Sequence, residues 1–307
     1  MTTESAISIR GREEWLSPAS YWMPTHFTIT AWMEHAPFAS WIVDALQPRS
    51  IVELGTHWGY SYFAFCEAVK RLGLDTRTYA LDTWAGEEHA GVYGEEVFDY
   101  VSAVNRTEYA DFSTLIRGYF DDSLDKIEDG SVDLLHIDGR HRLPDVTHDF
   151  ESWVPKLSSR AVVLFHDIAE HQEDFGVWEF WEGVSQRYRS FAFEHNHGLG
   201  VLGVGADLPG AMERFFDAAE SSPEAVRATY ERLGGAVSEL ASVYSRPAEL
   251  QHELNQLRAE IDREARVPGL DARIVDLQNQ LDAVHSSTSW KVTQPIRTFV
   301  SRIRSGR

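Results

Sequence analysis

Apolar runs of β type recur along the first two thirds of the chain, at residues 50–54, 77–81, 114–118, 132–137, 161–165, 191–194 and 200–204. Between most of them lie longer stretches whose apolar positions suit helices. This alternation predicts an α/β domain over residues 45–206, a doubly wound, mostly parallel, seven-stranded sheet with helices on both faces. The last two runs are close enough in sequence to pair as an antiparallel hairpin.

Upstream, residues 1–44 are dense in aromatics, among them Trp15, Tyr21, Trp22, Phe27, Trp32, Phe38 and Trp41. This segment reads as helices covering the sheet or as a lid over a site, and core packing is the expected role of most of the rings. Downstream of Pro209 the pattern turns helical, with breaks predicted at Gly234-Gly235 and Pro247, and residues 207–248 read as a connector. Leu250, Leu254, Leu257 and Ile261 then recur at spacings of four and three. After Val267-Pro268-Gly269 the spacing resumes with Leu270, Ile274, Leu277, Leu281 and Val284. Residues 249–285 therefore carry a coiled-coil seam. Pro268 cannot continue a helix, so the halves form an antiparallel hairpin or successive segments. They pack on their own domain or, the favoured reading, join copies into a homo-oligomer, because neither half buries its stripe alone.

Composition narrows the class. A chain of 307 residues holds one α/β domain and an appendage, with a core that needs no staples. The single cysteine, Cys66, excludes an internal disulfide and reads as a buried, inert thiol in a reducing cytoplasm. The polar N-terminus and the lack of an apolar stretch of about 20 residues predict neither a signal peptide nor a membrane span. The formal net charge is −20, and from Ser286 onward Lys291, Arg297, Arg302, Arg304 and Arg307 meet no acid, leaving 23 basic against 48 acidic residues elsewhere. An acidic body repels phosphates, which argues against nucleic acid as a partner. The basic tail, 286–307, interleaves Trp290, Ile296, Phe299 and Val300 with arginines. It suits peripheral contact with an anionic membrane, here the inner face of the cytoplasmic membrane, and equally a disordered end.

The most informative motif joins the first apolar run to a helix: Glu53-Leu54-Gly55-Thr56-His57-Trp58-Gly59-Tyr60-Ser61. It reads as strand, turn, helix. Glycines at 55 and 59 let a ligand approach the backbone, and Glu53 is placed to receive a donor such as an ammonium group. A pyrophosphate would require closer glycine spacing and no carboxylate facing it, so S-adenosylmethionine fits better than a dinucleotide. Asp82 and Thr83, at the end of the second strand, stand where a carboxylate accepts ribose hydroxyls, with helix capping the alternative. Tyr119 or Phe120, after the third strand, can flank an adenine ring.

The ends of the fourth and fifth strands carry the remaining chemistry. Asp138, His166 and Asp167 would converge outside the carboxyl edge of the sheet, and two carboxylates with an imidazole make a divalent-cation site suited to magnesium or manganese. His141 begins the segment after Asp138 and points toward the same space, where a neutral imidazole takes a proton from a hydroxyl. The competing reading is of hydrogen-bonded loop histidines and helix-capping acids.

Glu53-Leu54-Gly55 through Gly59-Tyr60-Ser61, with Asp82, Asp138 and His166-Asp167, resembles class I S-adenosylmethionine-dependent methyltransferases, and within them a subfamily often found in bacterial surface-glycan biosynthesis. Leu135-His136-Ile137-Asp138-Gly139-Arg140-His141, Leu164-Phe165-His166-Asp167, Phe175-Gly176-Val177-Trp178 and His197-Gly198-Leu199-Gly200-Val201-Leu202 look like that subfamily's own pattern. The likeness spans about residues 30 to 206. Catechol O-methyltransferase is a more distant relative that shares the Glu-Leu-Gly-x-x-x-Gly-Tyr-Ser turn.

The resemblance implies a Rossmann-like fold and a cofactor set of Glu53, Gly55, Thr56, Gly59, Ser61, Asp82, Thr83 and Tyr119, with Ser61 on the methionine carboxylate. It places Asp138, His166 and Asp167 on metal positions and His141 on a catalytic lysine position. His166 departs from the pattern by replacing a carboxylate, and Asp167 stands where that family has a carboxylate or an amide. The stretch from Ser289-Trp290-Lys291 to Arg297 looks like the ends of bacterial polysaccharide-assembly proteins. Together these imply an O-methyltransferase acting on a sugar or glycan hydroxyl. The alternatives are a small-molecule enzyme for a phenol or antibiotic sugar, and a non-catalytic scaffold of a glycan-assembly complex.

Overall fold

The computed structural model describes residues 13–28, 30–86, 94–172, 174–263 and 270–287, with side chains described except over 244–272. The chain divides into two compact units, 1–237 and 238–307. The first contains α1 (Ala36–Leu46), β1 (Ser50–Leu54), α2 (Tyr60–Leu72), β2 (Arg77–Asp82), α3 (Glu95–Glu108), β3 (Ser113–Arg117), β4 (Val132–Ile137), α4 (Leu143–Trp153), β5 (Leu157–His166), α5 (Val177–Val184), β6 (Arg189–Phe193), β7 (Leu199–Gly203) and α6 (Gly210–Ser221). It also contains the first part of α7 (Pro223–Arg263), and α8 (Leu270–Ser286) belongs to the second unit.

The seven strands form one sheet in the order β3-β2-β1-β4-β5-β7-β6. β1 to β5 pair in parallel, and β7 runs antiparallel to both β5 and β6. This is the Rossmann-like methyltransferase arrangement that the sequence implied, with β7 inserted between β5 and β6. The order reverses direction between β1 and β4, and a crevice opens there beyond the carboxyl ends of the strands. β5 begins at Leu157, ahead of its apolar run, because polar Ser158 is buried and its hydroxyl donates to Asp133 Oδ1 at 2.6 Å.

Side chains alternate between the two faces of the sheet. Ile51, Leu134, Val162 and Leu164 pack on one face with α1, α2 and α6. Val52, Leu54, Leu135, Val163 and Phe165 pack on the other with α4 and α5. Trp32, Phe38 and Trp41 join Met212, Phe215, Val226 and Tyr230 in the first of these cores. This core thus joins residues from both sides of the predicted boundaries at 45, which falls within α1, and at 206.

α7 continues through Gly234-Gly235 and Pro247, where breaks were predicted. Gly234 serves packing instead, since a Cβ there would lie 2.4 Å from the carbonyl oxygen of Glu34. In the second unit Leu277 and Leu281 are buried within the single chain, with Ile274 and Val284 packed on them. The side chains of Leu250, Leu254, Leu257 and Ile261, and the basic tail from 288 onward, lie outside the described residues. Among the described residues no helix is long and apolar enough to cross a membrane.

Candidate active site

The crevice at the switch between β1 and β4 is a cavity of about 660 Å³. Its wall includes Gly55, Thr56, Ser61, Asp82, Thr83 and Tyr119 of the predicted cofactor set, and Asp138, His141, His166 and Asp167 of the predicted catalytic and metal sets. Glu53 and Gly59 do not line it.

The glycine turn is built from its backbone. Gly55 (φ +89°) donates its N–H to Leu81 O at 2.9 Å, and a Cβ at this position would lie 2.0 Å from the carbonyl oxygen of Asp138. Only glycine lets the loops after β1 and β4 meet this closely. Gly59 (φ +80°) caps α2, and a Cβ there would strike the Phe63 ring, so its role is the turn rather than the ligand approach expected for it.

Asp82 Oδ2 accepts the backbone N–H groups of Thr56 and His57, both at 2.8 Å, and Oδ1 accepts that of Trp84 at 2.7 Å. The carboxylate thus fixes the loop that forms the cavity floor. A carboxylate offers about four acceptor positions, so these three bonds leave room for one ligand hydroxyl but crowd the two-hydroxyl role expected. His57 and Trp84, both at φ +48°, pay local backbone strain to complete this arrangement.

Glu53 was expected at the ligand. It lies instead beneath the turn, fully buried, where Oε2 is 2.8 Å from His136 Nδ1. Register explains this, because Glu53 and His136 are direct partners on β1 and β4. His136 is accordingly a strand residue and not a loop histidine. Burial raises the Glu53 carboxyl above its usual range, and His136 and the Ser61 hydroxyl offset part of that rise. Glu53 Oε1 and Thr56 Oγ1 are buried atoms without a hydrogen bond among the described residues.

At the other end of the cavity, Asp138, His141 and Asp167 each offer one donor atom, all within 4.8 Å of one another. His141 Nε2 lies 2.9 Å from Asp167 Oδ2 and 3.7 Å from Asp138 Oδ1. His166, the third ligand expected, places Nδ1 3.4 Å from Asp138 Oδ1 and 3.3 Å from Asp167 Oδ2, while its Nε2 is 3.3 Å from Asn196 O. His141 thus lies in the compact group with the two carboxylates, and His166 backs both of them.

Burial alone would raise both carboxyl groups, but His166 and His141 outweigh it and hold Asp138 and Asp167 well below the usual carboxylate range. Burial would likewise lower the imidazoles, but the same carboxylates raise His141 and His166 to about 10. Two negative charges are therefore balanced by two protonated rings. Asp138 and Asp167 at this distance, with the His141 imidazole beside them, suit a divalent cation.

Further wall residues had weak sequence signals. His197, at φ +66°, sets Nδ1 3.1 Å from Asp167 Oδ1. Phe175 stacks on His141. Asp149 and His148 project from α4, and Thr28, Thr30 and Ala31 come from the aromatic segment before the sheet. The Phe175-Gly176-Val177-Trp178 and His197-Gly198 motifs pointed toward two of them, and the segment before the sheet, read as a cover or a lid, contains Thr28, Thr30 and Ala31.

Residues 52–168 match the family model for a methyltransferase domain. That methyltransferase-domain match covers less than half of the chain, from β1 to just beyond β5, and so includes the glycine turn, Asp82 and the Asp138–Asp167 cluster. A Sinorhizobium fredii protein, uncharacterized protein y4gI, is 53% identical over 179 residues, which are 58% of this chain but 20% of that protein's length. The chain thus spans about a fifth of its curated relative.

Solved structures with some likeness include the O-methyltransferase from Bacillus cereus in complex with SAH (20% identity, 58% of this chain and 83% of that one, TM-score 0.42). Another is the O-methyltransferase TomG from Streptomyces achromogenes in complex with SAM (19% identity, 57% and 87%, TM-score 0.42). Likeness at this level fixes neither activity nor substrate.

Proposed function

We propose that this chain is an S-adenosylmethionine-dependent O-methyltransferase that methylates a hydroxyl of a sugar or glycan, assisted by a divalent cation. The observation that carries the reading is a single cavity with the Asp82-braced glycine turn at one end and the Asp138–His141–Asp167 cluster at the other. The methyltransferase-domain match over the same residues supports it. Thr56 Oγ1, a buried oxygen of the cavity wall without a hydrogen bond among the described residues, suits a cofactor that brings a donor. Favouring a sugar is the likeness of the C-terminal stretch to polysaccharide-assembly proteins.

S-adenosylmethionine, when bound, supplies a methyl group on a sulfonium that leaves as a neutral thioether. Asp138 and Asp167, with His141 beside them, would hold a divalent cation, which would supply Lewis acidity toward the acceptor hydroxyl and offset the carboxylate charge that otherwise keeps His141 protonated. The chain's own residues do the rest. Asp82 fixes the floor through Thr56 and His57. Asp167, held at φ +62° by its bond to Gly198 O, aims its carboxylate into the cavity. His141 Nε2 takes the acceptor's proton, and Asp138 and Asp167 stabilise the imidazolium formed. Most of the acceleration comes from positioning and charge balance.

Mass spectrometry of cell-surface saccharides tests this. A strain lacking the gene should lose a methyl ether that the intact gene restores and an Asp138→Ala, Asp167→Ala version does not. An unchanged saccharide profile contradicts the sugar acceptor.

A further inference from the structure

Three buried polar side chains form a line beneath the glycine turn. Trp32 Nε1 donates to His136 Nε2 at 3.1 Å, and His136 Nδ1 lies 2.8 Å from Glu53 Oε2. Trp32 is 1% exposed, and His136 and Glu53 are wholly buried. The direction of these bonds follows from valence. An indole N–H only donates, so His136 Nε2 must present its lone pair. The ring proton then resides on Nδ1, and His136 donates to Glu53. A tryptophan from the segment before the sheet therefore fixes the tautomer of a β4 histidine, and through it the orientation of a β1 carboxylate.

The far end of the line meets the cavity. Glu53 Oε1 has no hydrogen bond among the described residues, and the Ser61 hydroxyl, which acts on this carboxylate, belongs to a residue of the cavity wall. The near end meets it too, since the Trp32 backbone N–H donates to Thr30 Oγ1 at 3.0 Å, and Thr28, Thr30 and Ala31 line the same space. In a dry interior a fixed carboxylate acts over several ångströms with little screening.

We infer that Trp32 and His136 are positioning residues that hold the Glu53 carboxylate under the cavity floor, so that the site favours the sulfonium form of the cofactor over its neutral thioether product. This inference rests on the cofactor reading above. Losing the Trp32 N–H frees His136 to carry its proton on Nε2 and turn a lone pair toward Glu53, which pushes the carboxylate out of place. The same device favours product exchange, because the charge that attracts the sulfonium finds no counterpart once the methyl group has left.

The test is the ratio of dissociation constants for S-adenosylhomocysteine and S-adenosylmethionine, measured calorimetrically on the full chain. Wild type, Trp32→Phe, Glu53→Gln and the double variant are compared. Each single change should reduce the preference for the sulfonium by about ten-fold, the scale of one unit charge acting a few ångströms away through protein. The double variant should be no worse than Glu53→Gln alone, because both act through one carboxylate. An unchanged ratio in Trp32→Phe, or losses that multiply, overturns the inference and leaves Trp32 a packing residue.

Nitrogen-15 NMR of the wild-type histidines gives a check that needs no variant. His136 should show a bare Nε2 and a protonated Nδ1, and the reverse tautomer overturns the inference. Failure of wild type to bind either ligand overturns the cofactor reading and this inference with it. Binding with an unaltered ratio overturns this one alone.

Discussion

The rings of His141 and Phe175 stack with centroids 4.8 Å apart and planes 12° from parallel. The backbone reinforces the stack, for Gly176 N–H donates to His141 O at 2.7 Å, and a Cβ at Gly176 would lie 2.4 Å from Leu143 N. Phe175 thus sets the angle at which His141 faces Asp138 and Asp167. Phe175→Ala should lower kcat by about ten-fold while leaving S-adenosylhomocysteine affinity unchanged, because misplacing a proton acceptor by an ångström is costly whereas the cofactor end is untouched. Steady-state kinetics beside calorimetry checks this, and a parallel loss of affinity contradicts it.

The role of His141 itself is read by His141→Ala. Cofactor binding should persist and turnover should fall by about a hundred-fold or more, in the usual range for a general base. A loss of cofactor binding that matches the loss of activity contradicts the assigned role.

Gly55→Ala should be among the most damaging single changes in the domain. It combines a Cβ 2.0 Å from the Asp138 carbonyl oxygen with a backbone at φ +89°. Urea unfolding should show a loss of more than about 3 kcal/mol, or the variant should fail to fold. Gly73→Ala, at φ +66° but with open space around its Cβ, should cost about 1 kcal/mol.

Asp149 lies in the cavity wall, 8% exposed, and burial first, then Asp145 and Asp121, raise its carboxyl to about 7 despite His148 and Arg140. An unfolded aspartate titrates near about 3.9, so the fold favours the protonated form. The stability this group contributes is present below that pH and is lost as pH rises through about 7. Asp149→Asn should match wild type near pH 4 and exceed it at pH 8 by up to about 4 kcal/mol. Urea unfolding of both proteins across that range decides the matter, and a stability difference independent of pH contradicts it.

Much of this was legible in the sequence for definite reasons. Apolar runs between glycine and polar stretches located all seven strands, because central strands need apolar residues on both faces and the edge strands β3 and β6 still bury part of theirs. Asp138, His141, His166 and Asp167 converge because β4 and β5 are neighbours in a doubly wound sheet, which topology alone predicts.

Glu53 was misplaced for an equally physical reason. Alternation along β1 turns its carboxylate to the face that carries Ile51, and what it meets there, His136, comes from another strand. That partner is 83 positions away. The placing of His141 between the two carboxylates and of His166 behind them had the same origin, since ring orientation is set by Phe175 and Asn196 from other loops. Gly234 read as a helix breaker because its reason for being glycine, the Glu34 backbone, lies in the segment before the sheet.

The most direct test of the account is titration of the purified, folded chain with S-adenosylhomocysteine, followed by displacement with S-adenosylmethionine. Saturable binding of one equivalent per chain, with each ligand displacing the other, is the result predicted for the cavity between the Asp82-braced turn and the Asp138–Asp167 cluster. Heats no larger than dilution for both ligands, from protein shown to be folded, would contradict it.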